Sequence, residues 1–240
     1  MDNDTPAFAG QFSTTHWSVV LLAGQEMSSE GQAALEKLCR AYWQPIYAFA
    51  RRRGWGQEDA KDLTQRFFAL LLERHDFGRL DPKKGKFRTF LLTAFTHFLS
   101  NYRAYANALK RGGGKVISLE NVRLEEIPST GELSDTMLYD LRWARTILQT
   151  ALEQLKQEML KANKGGQFDQ LRSFLTAGGD SRQYVAAAEK LGVETSSVPV
   201  LVHRLRLRYR QLVREEVAQT VSSPTDLEEE LRYLFAVLNQ

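Results

Sequence analysis

The sequence is poor in the features that build disulfide-bonded or membrane-embedded proteins. It has one cysteine, Cys39, so no disulfide bond can form within the chain, and a reducing compartment is its natural setting. Its longest aliphatic and aromatic run is FFALLL, much shorter than the roughly 20 residues of a membrane-spanning helix. The opening MDNDTPAFAG has no apolar stretch typical of a secretion signal. We therefore expect a cytoplasmic protein without membrane contact.

Sequence motifs for catalysis, metal binding and phosphate binding are missing as well. The four histidines are scattered and lack the spacing of metal ligands. Three glycines at 112–114 follow a predicted helix, whereas a phosphate-binding loop precedes its helix. Cys39 lies among apolar residues without a neighbouring histidine, which favours a buried thiol over a nucleophile. We expect no enzymatic activity, no cofactor and no metal site.

The chain does have an uneven distribution of charge. The formal net charge is only +3, but residues 79–115 contain nine basic side chains and one acidic side chain. Residues 120–140 are mainly acidic, and residues 203–214 contain five arginines and no acid. Two basic segments separated by an acidic one predict two contacts with a polyanion, joined by a segment that avoids it.

Apolar residues recur at helical spacing through most of the chain, and no stretch shows the alternation of a strand. In the first long helical segment this spacing predicts a core face of Leu35, Leu38, Tyr42, Ile46 and Phe49. The pattern predicts an all-α fold of two helical domains joined by an acidic linker. The predicted boundaries are 12–113 for the first domain, 114–136 for the linker, 137–220 for the second domain and 221–240 for a C-terminal amphipathic helix. The apolar face predicted for that last helix consists of Leu227, Leu231, Leu234, Phe235 and Leu238.

Residues 184–212, YVAAAEKLGVETSSVPVLVHRLRLRYRQL, match the pattern of a helix-turn-helix. Ala188 is the small residue where two helices meet, and Gly192 supplies the turn, because glycine tolerates a left-handed backbone. Thr195 or Ser196 is expected to cap the second helix. A structural three-helix bundle is the alternative interpretation. The alternating arginines that follow favour DNA binding through phosphate contacts, and they are Arg204, Arg206, Arg208 and Arg210.

A further pattern lies in the helix predicted over residues 90–112, FLLTAFTHFLSNYRAYANALKRG. One face is an apolar stripe that core packing explains, and it consists of Phe87, Leu91, Ala94, Phe98, Tyr102, Tyr105 and Leu109. The other face carries Thr, Ser, Asn and His with cations at its margin, rather than the Glu and Lys of an ordinary solvated face. Such a face suits contact with bases and sugar-phosphate, and rings at its edge suit stacking on unpaired bases.

Six segments, in this order, carry a resemblance to one family: TTHWSVVLLAG, YWQPIYAFARRRG, DLTQRFFALLLER, GKFRTFLLTAFTHFL, KRGGG and VHRLRLRYRQLVREE. From about Phe12 to the C-terminal helix, the chain resembles a bacterial RNA polymerase sigma factor of the extracytoplasmic-function (ECF) group. The resemblance implies that the first domain binds the clamp of the largest polymerase subunit and recognises and opens the −10 promoter element. The second domain would read the −35 element near the flap region of the polymerase.

The resemblance also implies three sets of site residues. The polymerase-binding set is Glu58, Asp62, Gln65 and Arg66. The −10 set is Lys83, Lys84, Lys86, Thr93, His97, Asn101, Arg103, Asn107, Lys110 and Arg111. The −35 set is Thr195, Ser196, Ser197, Val200, His203, Arg204, Arg206 and Arg208. The implied partners are core RNA polymerase and promoter DNA, an anti-sigma factor or another regulator is a further candidate, and a monomer is the expected free state.

The sequence departs from the family pattern at three places. Tyr102 and several alanines stand where arginines are expected in the −10 helix, and Pro199 stands in the first turn of the reading helix. The C-terminal helix is an addition to the two-domain plan. Two alternative functions stay open: a stand-alone helix-turn-helix repressor that binds duplex operators as a dimer, and a polymerase-binding regulator that does not read promoters.

Overall fold

The computed structural model describes residues 29–73, 86–110, 133–176 and 179–239. No strand occurs within these ranges, so the predicted all-α class is confirmed for them. None of their helices combines the length and the apolar character that crossing a membrane requires. The α-helices are α1 (Ser29–Arg52), α2 (Gln57–Glu73), α3 (Phe87–Lys110), α4 (Leu133–Lys161), α5 (Gly165–Leu171), α6 (Ser181–Leu191), α7 (Ser197–Ala218) and α8 (Pro224–Leu238). A short 3-10 helix, Arg172–Leu175, follows α5 directly.

Helix α1 follows the apolar spacing of its sequence. The residues predicted to face the core are buried, namely Leu35, Leu38, Tyr42, Ile46 and Phe49. Pro45 lies inside α1, where its ring removes one backbone hydrogen bond. Gly54 follows the helix with a φ of 88°, a left-handed conformation that glycine adopts without strain. Helix α2 then begins with Glu58 and Asp59 in its first turn, where acidic groups stabilise the positive end of a helix dipole.

Backbone contacts divide the chain into two compact units, each built from separated segments. Among the described residues, the first unit contains 29–40, 65–73, 86–110 and 218–229. The second unit contains 41–64, 133–176, 179–217 and 230–239. The predicted domains are instead continuous in sequence, so their boundaries stay a prediction. Helix α4 begins at Leu133, inside the range predicted as linker.

The core of the first unit is a cluster of rings from α2 and α3. The ring centroid of Phe67 lies 5.0 Å from that of Phe95 and 5.7 Å from that of Phe98. The predicted stripe on α3 included Phe98 but omitted Phe95 and Leu99, which are also buried. The buried face of α3 is therefore broader than a stripe of single residues at steps of three and four.

The core of the second unit surrounds α4. Trp143 and Tyr139 are almost fully buried, and the ring of Tyr139 meets Phe49 of α1 edge-on, with centroids 6.3 Å apart. The buried carboxylate of Asp140 accepts a hydrogen bond from the hydroxyl of Tyr233 on α8 at 2.5 Å. Helix α5 packs between α4 and α6 through the buried Phe168 and its neighbours.

The C-terminal helix forms as predicted, although its buried face differs from the predicted face. Leu227, Glu230, Leu234 and Val237 are buried, whereas Phe235 is 53% exposed. Phe235 was predicted on the apolar face, and that prediction is wrong. Consecutive helix residues point about 100° apart, so a narrow stripe that includes position 234 leaves position 235 outside.

Candidate nucleic-acid interface

Helix α6 begins and ends with well-defined caps. At its start, the carboxylate of Asp180 accepts from the Gln183 amide at 2.8 Å, and the Gln183 side chain accepts from the Asp180 amide at 3.1 Å. At its end, Gly192 is left-handed, with φ 64° and ψ 34°. Ala188 is buried, as expected for the small residue where two helices meet, and so is Ala187. The chain can therefore turn sharply into the next helix.

The turn into α7 is short and its residues are exposed. The Ser197 amide donates to Glu194 O at 2.9 Å, and the Val198 amide donates to Thr195 O at 3.2 Å. The hydroxyl of Ser196 donates to the carboxylate of Glu194 at 3.4 Å. Pro199 lies in the first turn of α7, where a helix loses no intrahelical hydrogen bond through a missing amide. Thr195, Ser196 and Ser197 are all available at the start of α7 for an external contact.

Helix α7 has one buried and one exposed face. Its buried face continues from Val198 with Val202, Leu205, Leu212, Val213 and Val217. The exposed face recurs at steps of three and four and comprises Val200, His203, Arg204, Leu207, Arg210 and Gln211. Two of its members are large apolar side chains: Val200 is 50% exposed and Leu207 is 60% exposed. A mixture of cations and apolar groups on one exposed helix face is typical of a surface that contacts another molecule.

Two of the predicted phosphate-binding arginines contact the protein itself. Arg206 donates from Nε to the carbonyl of Phe174 in the 3-10 helix at 2.8 Å. Arg208 donates from Nε to Glu158 Oε2 at 2.8 Å and from Nη2 to Glu158 Oε1 at 2.5 Å. Its Nη1 also donates to Glu215 at 3.2 Å. A phosphate role for either residue stays a prediction, and it requires these contacts to open.

Two glutamates close to these contacts have shifted pKa values, in opposite directions. The hydrogen bonds from Arg208 lower the pKa of Glu158 below its ordinary value, and the attraction between the charges acts in the same direction. Glu216, one residue after Glu215, behaves differently. Burial raises the pKa of Glu216, and a hydrogen bond from Gln154 only partly opposes this.

Arg204 and Arg210 lie on the exposed side of α7 and differ from Arg206 and Arg208 in their contacts. Both are exposed, and neither side chain has a hydrogen bond or ion pair with any of the residues that the structure describes. Their side chains leave the helix in directions about 120° apart, at the two edges of its exposed face. The structure thus leaves these two guanidinium groups available for phosphate. Arg210 lies outside the predicted −35 set, but it is one of the four alternating arginines that the sequence predicted to contact phosphates.

Two hydroxyls on the polar face of α3 donate hydrogen bonds to backbone carbonyls of the same helix. The hydroxyl of Thr96 donates to Leu92 O at 2.8 Å, and the hydroxyl of Ser100 donates to Thr96 O at 3.0 Å. Thr93, His97 and Asn101 are half-buried, whereas Arg103 and Asn107 are exposed. The Nε2 atom of His97 is buried and has no hydrogen-bond partner among the described residues.

The basic end of the −10 set lies at the start of α3. Lys86 precedes the helix, and its Nζ lies 3.3 Å from Glu229 Oε2 of α8. Lys83, Lys84 and Arg111 lie outside the described residues, and Lys110 ends α3 with a side chain that is likewise not described. The sequence alone did not indicate the Lys86–Glu229 pair, because 143 positions separate the two residues.

The set predicted to bind polymerase lies on the exposed surface of α2. Glu58, Asp62, Gln65 and Arg66 are all exposed, and the residues between them include the buried Leu63 and Thr64. Beside Arg66, a groove of about 300 Å³ runs between α2 and α3. Its lining comprises Arg66, Ala69, Leu70, Glu73, Phe98 and Tyr102. A groove lined by apolar side chains together with Arg66 and Glu73 suits contact with a helix of another protein.

Two further expectations from the sequence concern the thiol of Cys39 and metal binding. Cys39 is buried, as predicted, and burial raises the pKa of its thiol to about 12, with the Glu36 charge adding to the effect. A thiol with such a pKa stays protonated at neutral pH. Within the described parts of the chain, no group of His, Cys, Asp and Glu side chains is placed to hold a metal ion.

Comparison of the chain with protein-family models, with curated proteins and with solved structures found no match.

Proposed function

We propose that the chain is a sigma factor of the ECF group, which acts in the cytoplasm by directing core RNA polymerase to promoters. The observation that carries the proposal is the exposed face of α7, which follows the left-handed turn at Gly192. A helix that begins just after such a turn and exposes both polar and cationic groups is suited to enter the major groove. The ordered resemblance of the sequence motifs then selects a sigma factor among the helix-turn-helix proteins.

In the proposed −35 contact, the start of α7 faces the base edges. The hydroxyls of Thr195, Ser196 and Ser197 can donate to or accept from bases, and Val200 can contact the methyl group of thymine. Arg204 and Arg210 would contact phosphates, which position the helix without reading sequence. His203 lies on the same exposed face, between the two kinds of contact.

In the proposed −10 contact, α3 holds a separated strand. A sigma factor catalyses no reaction that could drive strand separation. The free energy for opening a promoter must therefore come from binding. Unstacking a base costs a few kcal/mol, and stacking on an aromatic side chain recovers roughly 1–3 kcal/mol per base. Tyr102 and Tyr105 are half-exposed rings on α3, and Asn101, Arg103 and Asn107 are polar neighbours along the same helix.

In the proposed polymerase contact, the exposed surface of α2 binds the clamp of the largest subunit. The groove beside Arg66 supports this assignment because it offers apolar contact next to charged residues. The free chain is proposed to be a monomer, with an anti-sigma factor or another regulator as a further partner.

The decisive experiment is transcription in vitro with core RNA polymerase and fragments of genomic DNA, followed by sequencing of the transcript 5′ ends. A sigma factor produces transcripts whose start sites share two upstream elements, and core enzyme alone does not. A repressor binds duplex fragments without polymerase and yields no new starts. A polymerase-binding regulator binds core enzyme but also yields no shared elements. The last two results would each replace the proposal by the corresponding alternative.

A further inference from the structure

The segment 218–229 belongs to the same compact unit as α3 and covers the start of that helix. Thr220, Val221 and Leu227 of this segment are buried, with exposed fractions of at most 4%. The amide of Phe87, the first residue of α3, donates to Thr220 O at 3.1 Å. This bond satisfies one of the amides that a helix start leaves without an intrahelical acceptor.

The covered end of α3 is electropositive. The first turn of α3 has no acidic residue, and the amides at a helix start carry partial positive charge. Lys86 adds a full charge directly before the helix. Glu229, which lies in the acidic run DLEEE of α8, forms an ion pair with Lys86. A carboxylate at this position resembles a phosphate group in charge and in its acceptor oxygens.

We infer that segment 218–229 is autoinhibitory and that Glu229 occupies the place of a DNA phosphate at the start of α3. The inference rests on the proposed function, because Lys86 belongs to the surface proposed to meet the opened strand. Thr220 anchors the segment through a backbone hydrogen bond, and Glu229 supplies the charge that competes with DNA. Binding of a strand at Lys86 then requires Glu229 to leave.

The strength of this contact suits a switch rather than a permanent block. The side chain of Lys86 is 25% exposed and that of Glu229 is 55% exposed, so water and salt screen the pair substantially. Loss of such a pair should improve strand binding by about two- to fivefold. A partner that draws Glu229 away would have the same effect as removing its charge.

The test compares Glu229→Gln with Asp169→Asn in the full-length chain, because both substitutions remove one negative charge. Asp169 is exposed on α5, and its side chain has no hydrogen bond or ion pair with any of the described residues. The probe is a fluorescein-labelled single-stranded DNA of mixed sequence at low salt, and the readout is anisotropy. Glu229→Gln should bind about two- to fivefold more tightly than wild type, and Asp169→Asn should not.

Two further variants show whether the gain acts through Lys86. Lys86→Gln should weaken strand binding, and Glu229→Gln should give no gain on the Lys86→Gln background. Hydrogen exchange at the Phe87 amide should show that the fold around Thr220 persists in every variant. The inference is overturned if Glu229→Gln behaves like Asp169→Asn, or if its gain persists without Lys86.

Transcription in vitro separates this inference from the proposed function. If the wild-type chain initiates at shared promoter elements and Glu229→Gln gives no gain in strand binding, the autoinhibitory role fails while the sigma function stands. If Glu229→Gln binds strands more tightly through Lys86 but the chain never initiates with core polymerase, Glu229 does mask a DNA site and the sigma function fails.

Discussion

Arg208 on α7 donates two parallel hydrogen bonds to Glu158 on α4, from Nε to Oε2 at 2.8 Å and from Nη2 to Oε1 at 2.5 Å. The planar guanidinium matches the two carboxylate oxygens, a geometry that the ammonium of lysine cannot reproduce. Glu215 adds a third contact on the same group at 3.2 Å. Arg208 lies in an arginine-rich stretch of the sequence, yet its hydrogen bonds hold α7 against α4.

Replacement of Arg208 by lysine should destabilise the chain even though it keeps the charge. The two side chains are 35% and 42% exposed, so solvent screening keeps the expected loss to about 0.5–1 kcal/mol. Urea unfolding followed by circular dichroism measures it. Arg204→Lys is the matched control, since Arg204 is exposed and makes no ion pair with described residues. Equal stability of the two variants would contradict a structural role for Arg208.

The same pair predicts a dependence of stability on pH. Hydrogen bonds from Arg208 lower the pKa of Glu158 in the folded chain below its ordinary value of 4.5. The unfolded chain therefore takes up the proton first as pH falls, so this contribution to stability is complete above pH 4.5 and is lost through the lower folded pKa. Glu158→Gln should lose less stability than wild type as the pH falls below 4.5. Parallel curves for the two proteins would contradict the assignment.

Salt dependence should distinguish the two classes of arginine on α7. Arg204→Ala and Arg210→Ala should each weaken binding to duplex DNA and reduce the slope of log K against log salt by about one unit. Arg206→Ala and Arg208→Ala should instead lower the stability of the fold and leave the slope unchanged. Fluorescence anisotropy over a range of salt concentrations provides the slopes. A reduced slope in the second pair would mean that their internal contacts open on DNA.

Local periodicity was sufficient to predict much of the fold. The spacing of Leu35, Leu38 and Tyr42 predicted the buried face of α1, because a helix repeats every 3.6 residues wherever it packs. Gly192 was predicted as a turn because few other residues adopt its conformation. Both features depend on residues near in sequence.

Local periodicity could not predict the internal contacts of the arginines. Arg206 meets a carbonyl 32 positions away, and Arg208 meets a carboxylate 50 positions away. A pattern of alternating arginines shows that the side chains spread around the helix, but only tertiary packing decides which of them meet protein. The ion pair between Lys86 and Glu229 likewise depends on tertiary packing.

Binding to core polymerase should depend on the exposed surface of α2. Asp62→Arg combined with Gln65→Ala should reduce capture of the chain by immobilised core enzyme about tenfold or more, because charge reversal opposes a complementary surface. Lys61→Ala is the control, because Lys61 is exposed on the same helix but outside the predicted set. Circular dichroism confirms that the fold is intact. Unchanged capture by a folded double variant would rule out this surface as the clamp contact.

Strand opening should depend on the half-buried polar residues of α3. His97→Ala combined with Asn101→Ala should leave polymerase binding intact but reduce opening of a duplex promoter, because contacts to the separated strand supply the energy that unstacking costs. The defect should shrink on a template already mismatched across the −10 region, where opening is no longer required. Permanganate footprinting on both templates measures the reactive thymines.

Thr96→Val is the matched control for that experiment, because the hydroxyl of Thr96 already donates to Leu92 O within the helix. It should open both templates as wild type does. Equal losses on the duplex and the mismatched template in the double variant would assign His97 and Asn101 to base recognition rather than to melting. No loss on either template would mean that this face of α3 does not touch the strand, and the buried Nε2 of His97 would then belong to the packing of the helix.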